Sequence, residues 1–235
     1  MRLIAHRGAS AFAPENTLAA FKLALKMRAR AVELDVHLTR DGRLAVIHDA
    51  SLKRTCGSPG LVGGTDYDRI VRLDAGSWFS PDFKNERVPL LSEVLKLLLG
   101  RAEINVELKK GARSPKGVET RALDLAAGMG AKKSVVFSSF DHALLFSIRR
   151  LDPSARIGYL LGRTPLERAF KEMKELGAES LNLSLRQSSA EVAAMAHGRG
   201  FKIMAYTAET RKDVERLERF RVDAAFANDP GLCCS

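Results

Sequence analysis

The segment Val32-Glu33-Leu34-Asp35-Val36 is followed by the turn Thr39-Arg40-Asp41-Gly42 and by a second apolar run, Leu44–His48. The first run reads as a strand with apolar flanks on either side of two acidic residues, which is typical of a buried position. Two parallel strands need a crossover of a dozen or more residues, and the turn between these runs is far shorter. We therefore predict that the second run folds back antiparallel on the first as a hairpin.

Outside this hairpin, short apolar runs alternate with longer amphipathic stretches almost throughout the chain, which is the pattern of a parallel α/β fold. A length of 235 residues suits one barrel domain. Eight strand–helix units favour a closed (β/α)₈ TIM barrel over an open sheet, so we predict a single domain over residues 1–235. The eight strands are expected at residues 3–6, 32–36, 104–108, 134–138, 157–161, 180–183, 203–206 and 224–227.

One stretch interrupts the alternation. Residues 50–88 are rich in Gly, Asp and Ser and carry the aromatic residues Trp78, Phe79 and Phe83. A connection of this length without clear periodicity is usually functional or disordered. Because it contains aromatic side chains, we predict an ordered small insertion after the second-strand hairpin, which caps the mouth of the active site.

The charge composition argues against a nucleic-acid-binding protein. The chain has 38 Lys and Arg against 28 Asp and Glu, a formal net charge of +10. Acidic residues are interspersed with the basic ones, as in Glu215–Arg219, and no basic stripe interleaved with stacking aromatics is present in the sequence. The positive charge is better suited to attracting a small anionic substrate.

The cysteines and the apolar runs favour a cytoplasmic protein. Cys56, Cys233 and Cys234 form neither a disulfide framework nor a zinc-binding spacing, so a reducing compartment fits. Only Met1–Ala5 precedes the first polar motif, and no apolar run approaches the roughly 20 residues that cross a bilayer. We expect no signal peptide and no stable membrane anchoring; the oligomeric state is not predicted.

Three carboxylates at predicted strand ends point to a metal site. Glu33 and Asp35 are two residues apart on one strand, so both side chains project to the same side. Glu107 repeats this arrangement on the next parallel strand, with Lys109 on the same face. Because close buried carboxylates are costly without a positive charge between them, and because all the ligands are oxygens, we predict a hard divalent cation, Mg²⁺ or Ca²⁺.

Two histidines should lie beside these carboxylates. His6 ends the first strand, and the hairpin returns His48 to the vicinity of Glu33. Two imidazoles next to a metal cluster suit proton transfer in both directions. Arg7 and Lys109 add fixed positive charge for a phosphoryl oxygen. The remaining histidines are interpreted as structural or solvent-exposed: His37, His142 and His197.

On these residues the chain resembles the glycerophosphodiester phosphodiesterase family, which is similar in fold to the phosphoinositide phospholipases C. The matching blocks follow the family order over essentially the whole chain. They are His6-Arg7-Gly8-Ala9, Pro14-Glu15-Asn16-Thr17, Glu33-Leu34-Asp35-Val36, Thr39-Arg40-Asp41-Gly42, His48-Asp49, Leu52-Lys53-Arg54-Thr55, Leu73-Asp74-Ala75-Gly76-Ser77-Trp78-Phe79, Val88-Pro89-Leu90-Leu91-Ser92-Glu93-Val94, Glu107-Leu108-Lys109, Ser139-Phe140 and Asn228-Asp229-Pro230.

The resemblance implies metal-dependent hydrolysis of glycerophosphodiesters, such as glycerophosphocholine or glycerophosphoethanolamine, to sn-glycerol 3-phosphate and an alcohol. It implies an acid–base pair of histidines, three carboxylate metal ligands, phosphate-binding cations and aromatic substrate contacts. These roles fall on His6 and His48, on Glu33, Asp35 and Glu107, on Arg7 and Lys109, and on Tyr206 and Phe140, respectively.

Two departures from the family pattern bear on substrate detail. Tyr206 stands where a Trp is expected, and Asp229 where a Thr is expected. A lysophospholipase D on the same scaffold is an alternative that a more hydrophobic insertion would favour, and Trp78, Phe79 and Phe83 leave this question open. An alternative of another class is a non-catalytic phosphate-binding protein. The second alternative would be favoured if either His6 or His48 were missing, and both are present.

Overall fold

The first strand of the predicted hairpin is buried along its whole length. In the computed structural model, which describes residues 1–111 and 113–232, this strand spans Ala31–Leu38 and all eight of its residues are buried. One set of alternate side chains faces the barrel interior and the other faces the surrounding helices, as expected for a parallel strand covered on both sides. Cys233 and Cys234 lie outside the described residues.

Eight parallel strands close into a barrel, which confirms the predicted fold class. Going round the barrel the order is β1-β9-β8-β7-β6-β5-β4-β2, and pairing of β1 with β2 closes it; β3 is added antiparallel to β2. The strands are β1 (Arg2–His6), β2 (Ala31–Leu38), β3 (Leu44–Val46), β4 (Glu103–Leu108), β5 (Val135–Ser139), β6 (Arg156–Leu160), β7 (Ser180–Ser184), β8 (Lys202–Ala208) and β9 (Ala224–Ala227).

All helices except the two within the insertion, residues 50–88, cover the outside of the barrel with their apolar faces, and several begin at a capping side chain. The Thr17 hydroxyl accepts a hydrogen bond from the Ala20 amide, and Thr210 with Asp213 forms a capping box. The helices are α1 (Leu18–Lys26), α2 (Lys53–Cys56), α3 (Tyr67–Ile70), α4 (Leu91–Leu98), α5 (Val118–Gly128), α6 (His142–Leu151), α7 (Leu166–Leu176), α8 (Ala190–His197) and α9 (Arg211–Arg219).

The antiparallel hairpin is confirmed, and its register explains the position of His48. Val36 pairs with Val46 and Leu38 with Leu44. The strand ends two residues earlier than predicted, but the Ile47 amide still donates a hydrogen bond to the Asp35 carbonyl at 3.0 Å. The chain therefore leaves the hairpin beside the carboxyl end of β2, which is the edge of the barrel where active sites lie.

Residues 50–88 form short helical segments around an apolar cluster of their own. In addition to α2 and α3 they contain two 3₁₀ turns, Val62–Gly64 and Pro81–Phe83. A small cluster of buried side chains, separate from the barrel core, holds the segment against the hairpin; it comprises Ala45, Ile47, Leu52, Val62, Tyr67, Ile70, Ala75 and Val88. This packing gives order to a segment whose sequence has no helical or strand period.

The opposite end of the barrel is closed by charged side chains. Arg156 binds Glu179 through two hydrogen bonds of 2.7 and 2.8 Å and Glu103 through a third of 2.9 Å, and Arg2 also donates to Glu103 at 2.9 Å. This network ties β1, β4 and β6 together at their amino ends. Among the described residues, no helix has the length and hydropathy needed to cross a bilayer.

Candidate active site

The three predicted carboxylates meet inside the barrel. Strands β2 and β4 are neighbours in a register that pairs Asp35 with Glu107, so the side chains of both residues and of Glu33 emerge at the same end. Glu33, Asp35 and Glu107 are 4%, 1% and 9% exposed. One oxygen atom from each carboxylate lies within 4.8 Å of the others, a spacing that a single cation can bridge.

Burial and mutual repulsion oppose ionisation of this cluster. Burial, followed by the charges of Asp35 and Glu107, raises the pKa of Glu33 well above its ordinary value. Burial and the charge of Asp35 also raise the pKa of Glu107, to about 7. Burial acts in the same direction on Asp35, but the cations Lys109 and Arg7 outweigh it and hold the pKa of Asp35 well below its ordinary value.

The donor set fits a divalent metal ion. Among the described residues, Glu33 Oε1 has no hydrogen-bond partner although it is buried, and an unpaired buried carboxylate oxygen is costly. When ionised, the three carboxylates outweigh Arg7 and Lys109 by one negative charge. A hard dication would satisfy the free oxygen and leave the site with a net positive charge, which matches one phosphodiester anion.

The two cations lie against the carboxylates. Lys109 Nζ is 2.9 Å from Asp35 Oδ1 and also contacts Glu107, whereas Arg7 Nε is 3.2 Å from Asp35 Oδ2. Arg7 has a left-handed backbone with φ of 57°, and Gly8 follows with φ of 85°. A Cβ atom on Gly8 would lie 2.7 Å from Ala20, so this turn requires glycine. The turn places the Arg7 amide 3.0 Å from Glu33 Oε2.

His6 is oriented by the last strand–loop junction of the barrel. Its Nδ1 lies 2.8 Å from Asn228 Oδ1, and because an amide oxygen only accepts, Nδ1 carries the proton. Its Nε2 lies 3.9 Å from Glu33 Oε2, at the carboxylate cluster. Burial, with a contribution from Arg7, lowers the pKa of His6 to about 4. At neutral pH the ring is therefore uncharged and presents an unprotonated Nε2 to the cavity.

His48 is oriented by a carboxylate. Its Nδ1 lies 2.7 Å from Asp49 Oδ1, so the aspartate accepts the Nδ1 proton and fixes the orientation of the ring. The hydrogen bond to Arg54 is the largest influence on Asp49 and lowers its pKa to about 2, so Asp49 is ionised at neutral pH. The two histidines thus have different surroundings: an amide orients one and a carboxylate orients the other.

A cavity of about 110 Å³ brings these residues together, and a wide groove of about 1060 Å³ extends from it. Phe140 and Tyr206 stand edge to face in the cavity wall, with ring centroids 6.0 Å apart. Eight of the nine predicted site residues line the cavity, and Asp35 lies just behind its surface. The eight are His6, Arg7, Glu33, His48, Glu107, Lys109, Phe140 and Tyr206.

The other three histidines are engaged elsewhere. His37 Nε2 lies 3.0 Å from the carbonyl oxygen of His48, in the wall of the outer groove. His142 lies between the Leu160 carbonyl and the Tyr159 hydroxyl, at 2.8 and 2.9 Å. His197 contacts Asp223 at the surface. Each of these rings holds neighbouring segments together, and none lines the inner cavity.

Several neighbours of the site were not predicted to act in it. Asn16 donates to Asp35 Oδ2 at 2.8 Å, and Asn228 and Asp49 orient the two histidines. Glu15 and Arg54 add charged contacts at the mouth. All five belong to the sequence blocks that match the family. Their position in these blocks, next to the predicted site residues, was the feature of the sequence that could have identified them.

Comparison with known proteins identifies the family of the chain. A sequence model of the glycerophosphoryl diester phosphodiesterase family matches residues 6–232. A glycerophosphodiester phosphodiesterase of Caldanaerobacter subterraneus subsp. tengcongensis is 34% identical over 229 residues, which cover 97% of this chain and 94% of that protein.

Solved structures give the same result. The crystal structure of a glycerophosphodiester phosphodiesterase from Agrobacterium tumefaciens has a TM-score of 0.86 at 30% identity and covers 99% of this chain and 98% of its own. A phosphodiesterase from Oleispira antarctica, solved in complex with the product sn-glycerol-3-phosphate, has a TM-score of 0.85 at 30% identity, with 98% and 94% coverage. The chain therefore belongs to the glycerophosphoryl diester phosphodiesterase family and is a phosphodiesterase of that class.

Proposed function

We propose that the protein hydrolyses water-soluble glycerophosphodiesters to sn-glycerol 3-phosphate and an alcohol, with a divalent metal ion and two histidines. The observation that carries the proposal is the Oleispira antarctica phosphodiesterase, which has sn-glycerol-3-phosphate as its product and covers 98% of this chain. The cavity of about 110 Å³ supports it, because carboxylates, cations and imidazoles surround one small volume.

We assign proton abstraction to His6. Its ring is neutral, its Nδ1–H donates to Asn228, and its Nε2 lone pair is at the carboxylate cluster. A neutral imidazole held in one tautomer is suited to removing a proton from an attacking hydroxyl or water. We assign proton donation to His48, since the ionised Asp49 orients its ring and the ring lies where the inner cavity meets the outer groove, the position proposed for the bond to the leaving alcohol.

We assign the metal to Glu33, Asp35 and Glu107, with Mg²⁺ or Ca²⁺ as the ion. When bound, it would neutralise charge on the phosphoryl oxygen and orient the glycerol hydroxyls. Arg7 and Lys109 would bind the remaining phosphoryl oxygens. Both cations already point at Asp35, at 3.2 and 2.9 Å, so they are held at the place where the phosphate would lie.

The two cavities suggest how the substrate is divided. The inner cavity would hold the glycerophosphate half, with Phe140 and Tyr206 as its wall, and the groove would hold the departing alcohol. The two spaces share His48, Glu107, Lys109 and Phe140, so His48 lies where the bond to the leaving group would be. With this division, the proposed proton donor would lie between the two halves of the substrate.

The same division favours a water-soluble diester over a lysophospholipid, the substrate of a lysophospholipase D. A long acyl chain exceeds the inner cavity and would have to lie in the groove, among charged side chains. The outer groove contains Lys110, Asp141 and Arg168, which an acyl chain would partly desolvate. A non-catalytic phosphate-binding protein has no need of two oriented imidazoles facing the same cavity.

A coupled assay for glycerol 3-phosphate tests the proposal. We expect turnover of glycerophosphocholine, its loss in excess chelator, its return with Mg²⁺ or Ca²⁺, and little turnover of lysophosphatidylcholine. Full activity in chelator would remove the metal from the proposal. A preference for the lysolipid would favour the lysophospholipase D, and binding of glycerol 3-phosphate without any turnover would favour the non-catalytic protein. A small-molecule diester as the only partner, without nucleic acid or a membrane anchor, and a cytoplasmic location stay predictions.

A further inference from the structure

A continuous chain of ion pairs joins the two sides of the active-site mouth. From Arg7 it passes through Glu15, Arg54 and Asp49 to His48. Arg7 donates to Glu15 Oε1 at 3.0 Å, and Asp49 accepts from His48 at 2.7 Å. One end of this chain is thus a phosphate-binding cation, and the other end is the assigned proton donor.

Arg54 is the centre of this series of ion pairs, and it fixes the carboxylates of both Glu15 and Asp49. Its guanidinium donates to Glu15 Oε2 and Oε1, both at 2.8 Å, and to Asp49 Oδ2 and Oδ1 at 2.7 and 3.1 Å. All four carboxylate oxygens are therefore held by one planar group. A lysine cannot reproduce this arrangement, because its ammonium is a compact charge without the guanidinium's planar fork.

Arg54 acts at a distance from the reacting atoms. It belongs to α2 in the insertion, is not among the described residues that line the inner cavity, and stacks near Trp78 with 5.9 Å between the guanidinium carbon and the ring centroid. Glu15 lies in the loop between β1 and α1, so Arg54 connects the insertion to the barrel itself. The hydrogen bonds of Arg54 therefore reach the site residues through Glu15 and Asp49.

We propose that Arg54 is a positioning residue that fixes Arg7 through Glu15 and His48 through Asp49, and so couples phosphate binding to proton donation. The inference rests on the proposed function of Arg7 and His48. Glu15 Oε1 accepts from both arginines, so removing Arg54 leaves Arg7 tied to a carboxylate that is free to turn. Removing it also frees the Asp49 carboxylate that sets the ring plane of His48.

The two halves of this series of ion pairs should have different kinetic signatures. Arg7 would contact phosphate in the ground state as well as in the transition state, so disturbing it through Glu15→Gln should mainly raise KM. His48 would act only during proton transfer, so disturbing it through Asp49→Asn should mainly lower kcat. Arg54→Met should do both, with about 10- to 100-fold lower kcat, by analogy with the loss of a hydrogen-bonding partner that orients a metal ligand.

Arg40 provides a matched control. It also makes a two-bond pair with a carboxylate of the insertion, Asp66, with Nε at 2.7 Å from Oδ1, but neither residue is among the described residues that line the inner cavity or the outer groove. Arg40→Met removes a comparable tether, so it should change thermal stability alone and leave kcat and KM as in the wild type. A purely structural role for Arg54 predicts the same behaviour for Arg54→Met.

The experiment measures kcat and KM on glycerophosphocholine for the wild type, these four variants and the double variant Arg54→Met/Asp49→Asn, with melting temperatures for each. Because Arg54 and Asp49 act on the same ring, the double variant should lose little more kcat than either single variant. Wild-type kcat and KM in Arg54→Met, or additive losses in the double variant, would overturn the inference. If Arg54→Met does not fold, Arg54→Lys decides by the same criteria. An inactive wild type would contradict the proposed function instead.

Discussion

The affinity of the metal-free protein for Mg²⁺ should fall about tenfold between about pH 8 and about pH 6, because a metal ligand must be deprotonated to bind. The responsible group is Glu107, whose pKa is raised to about 7 by burial and by the charge of Asp35. The perturbation is a change of pH alone, so the protein and its contacts are otherwise the same in every measurement.

The magnitude follows from the fraction of Glu107 that is ionised. With a pKa of about 7, Glu107 is about nine-tenths ionised at about pH 8 and about one-tenth ionised at about pH 6. The ratio is about tenfold, or about 1.4 kcal/mol. Glu33, whose pKa is also raised, adds to the effect in the same direction. His6 does not contribute, because its pKa of about 4 lies below the range.

Isothermal titration calorimetry of the metal-stripped protein, in two buffers of different ionisation enthalpy, measures both the affinity and the number of protons released. We expect Glu107 to release about half a proton near pH 7. Glu107→Gln should bind the ion more weakly, keep its fold and lose this part of the pH dependence. An affinity that stays constant over the range, with no proton released, would refute either the raised pKa or ligation by Glu107.

Three further predictions concern proton transfer, the attacking group and the stability of the barrel. His6→Ala or His48→Ala should each lower kcat by roughly 10²–10⁴-fold, and the double variant should lose little more than one of them, as measured in the glycerol 3-phosphate assay. A substrate whose glycerol 2-hydroxyl is replaced by hydrogen should bind but turn over poorly if that hydroxyl attacks the phosphorus first to give a cyclic phosphate; rapid hydrolysis would instead indicate direct attack by water. Arg156→Met should lower the free energy of unfolding in urea by about 1–2 kcal/mol, because it leaves Glu103 and Glu179 with fewer partners in a half-buried network, while kcat stays unchanged.

The barrel was predictable because its determinants are local and periodic. The alternation of apolar runs and amphipathic stretches fixed the number of strands, and the short turn at Thr39–Gly42 required an antiparallel partner for β2. The two-residue spacing of Glu33 and Asp35 placed both carboxylates on the inner side of one strand. Each of these inferences depends on only a few neighbouring residues.

The contacts that orient the site were not predictable in this way. His6 and Asn228 are 222 residues apart, and Glu15 and Arg54 are 39 apart, all but His6 in loops or in the insertion. Their side chains meet because of loop conformations, including the left-handed backbone of Arg7, which no hydrophobic period encodes. The single domain over residues 1–235 and the capping role of residues 50–88 stay predictions.

Closure of the barrel sets an order of events during synthesis. Strand β1 carries His6 and is made first, but it pairs with β9, and the amide that fixes the His6 tautomer belongs to Asn228, directly after β9. A growing chain therefore has both histidines and all three carboxylates long before Asn228 is present to orient His6 as the proposed base. A chain that lacks β9 cannot close the barrel and has no Asn228 to orient His6. We therefore expect nascent or truncated chains of this kind to be catalytically silent. Chains arrested before residue 224 and assayed beside the released protein would show this.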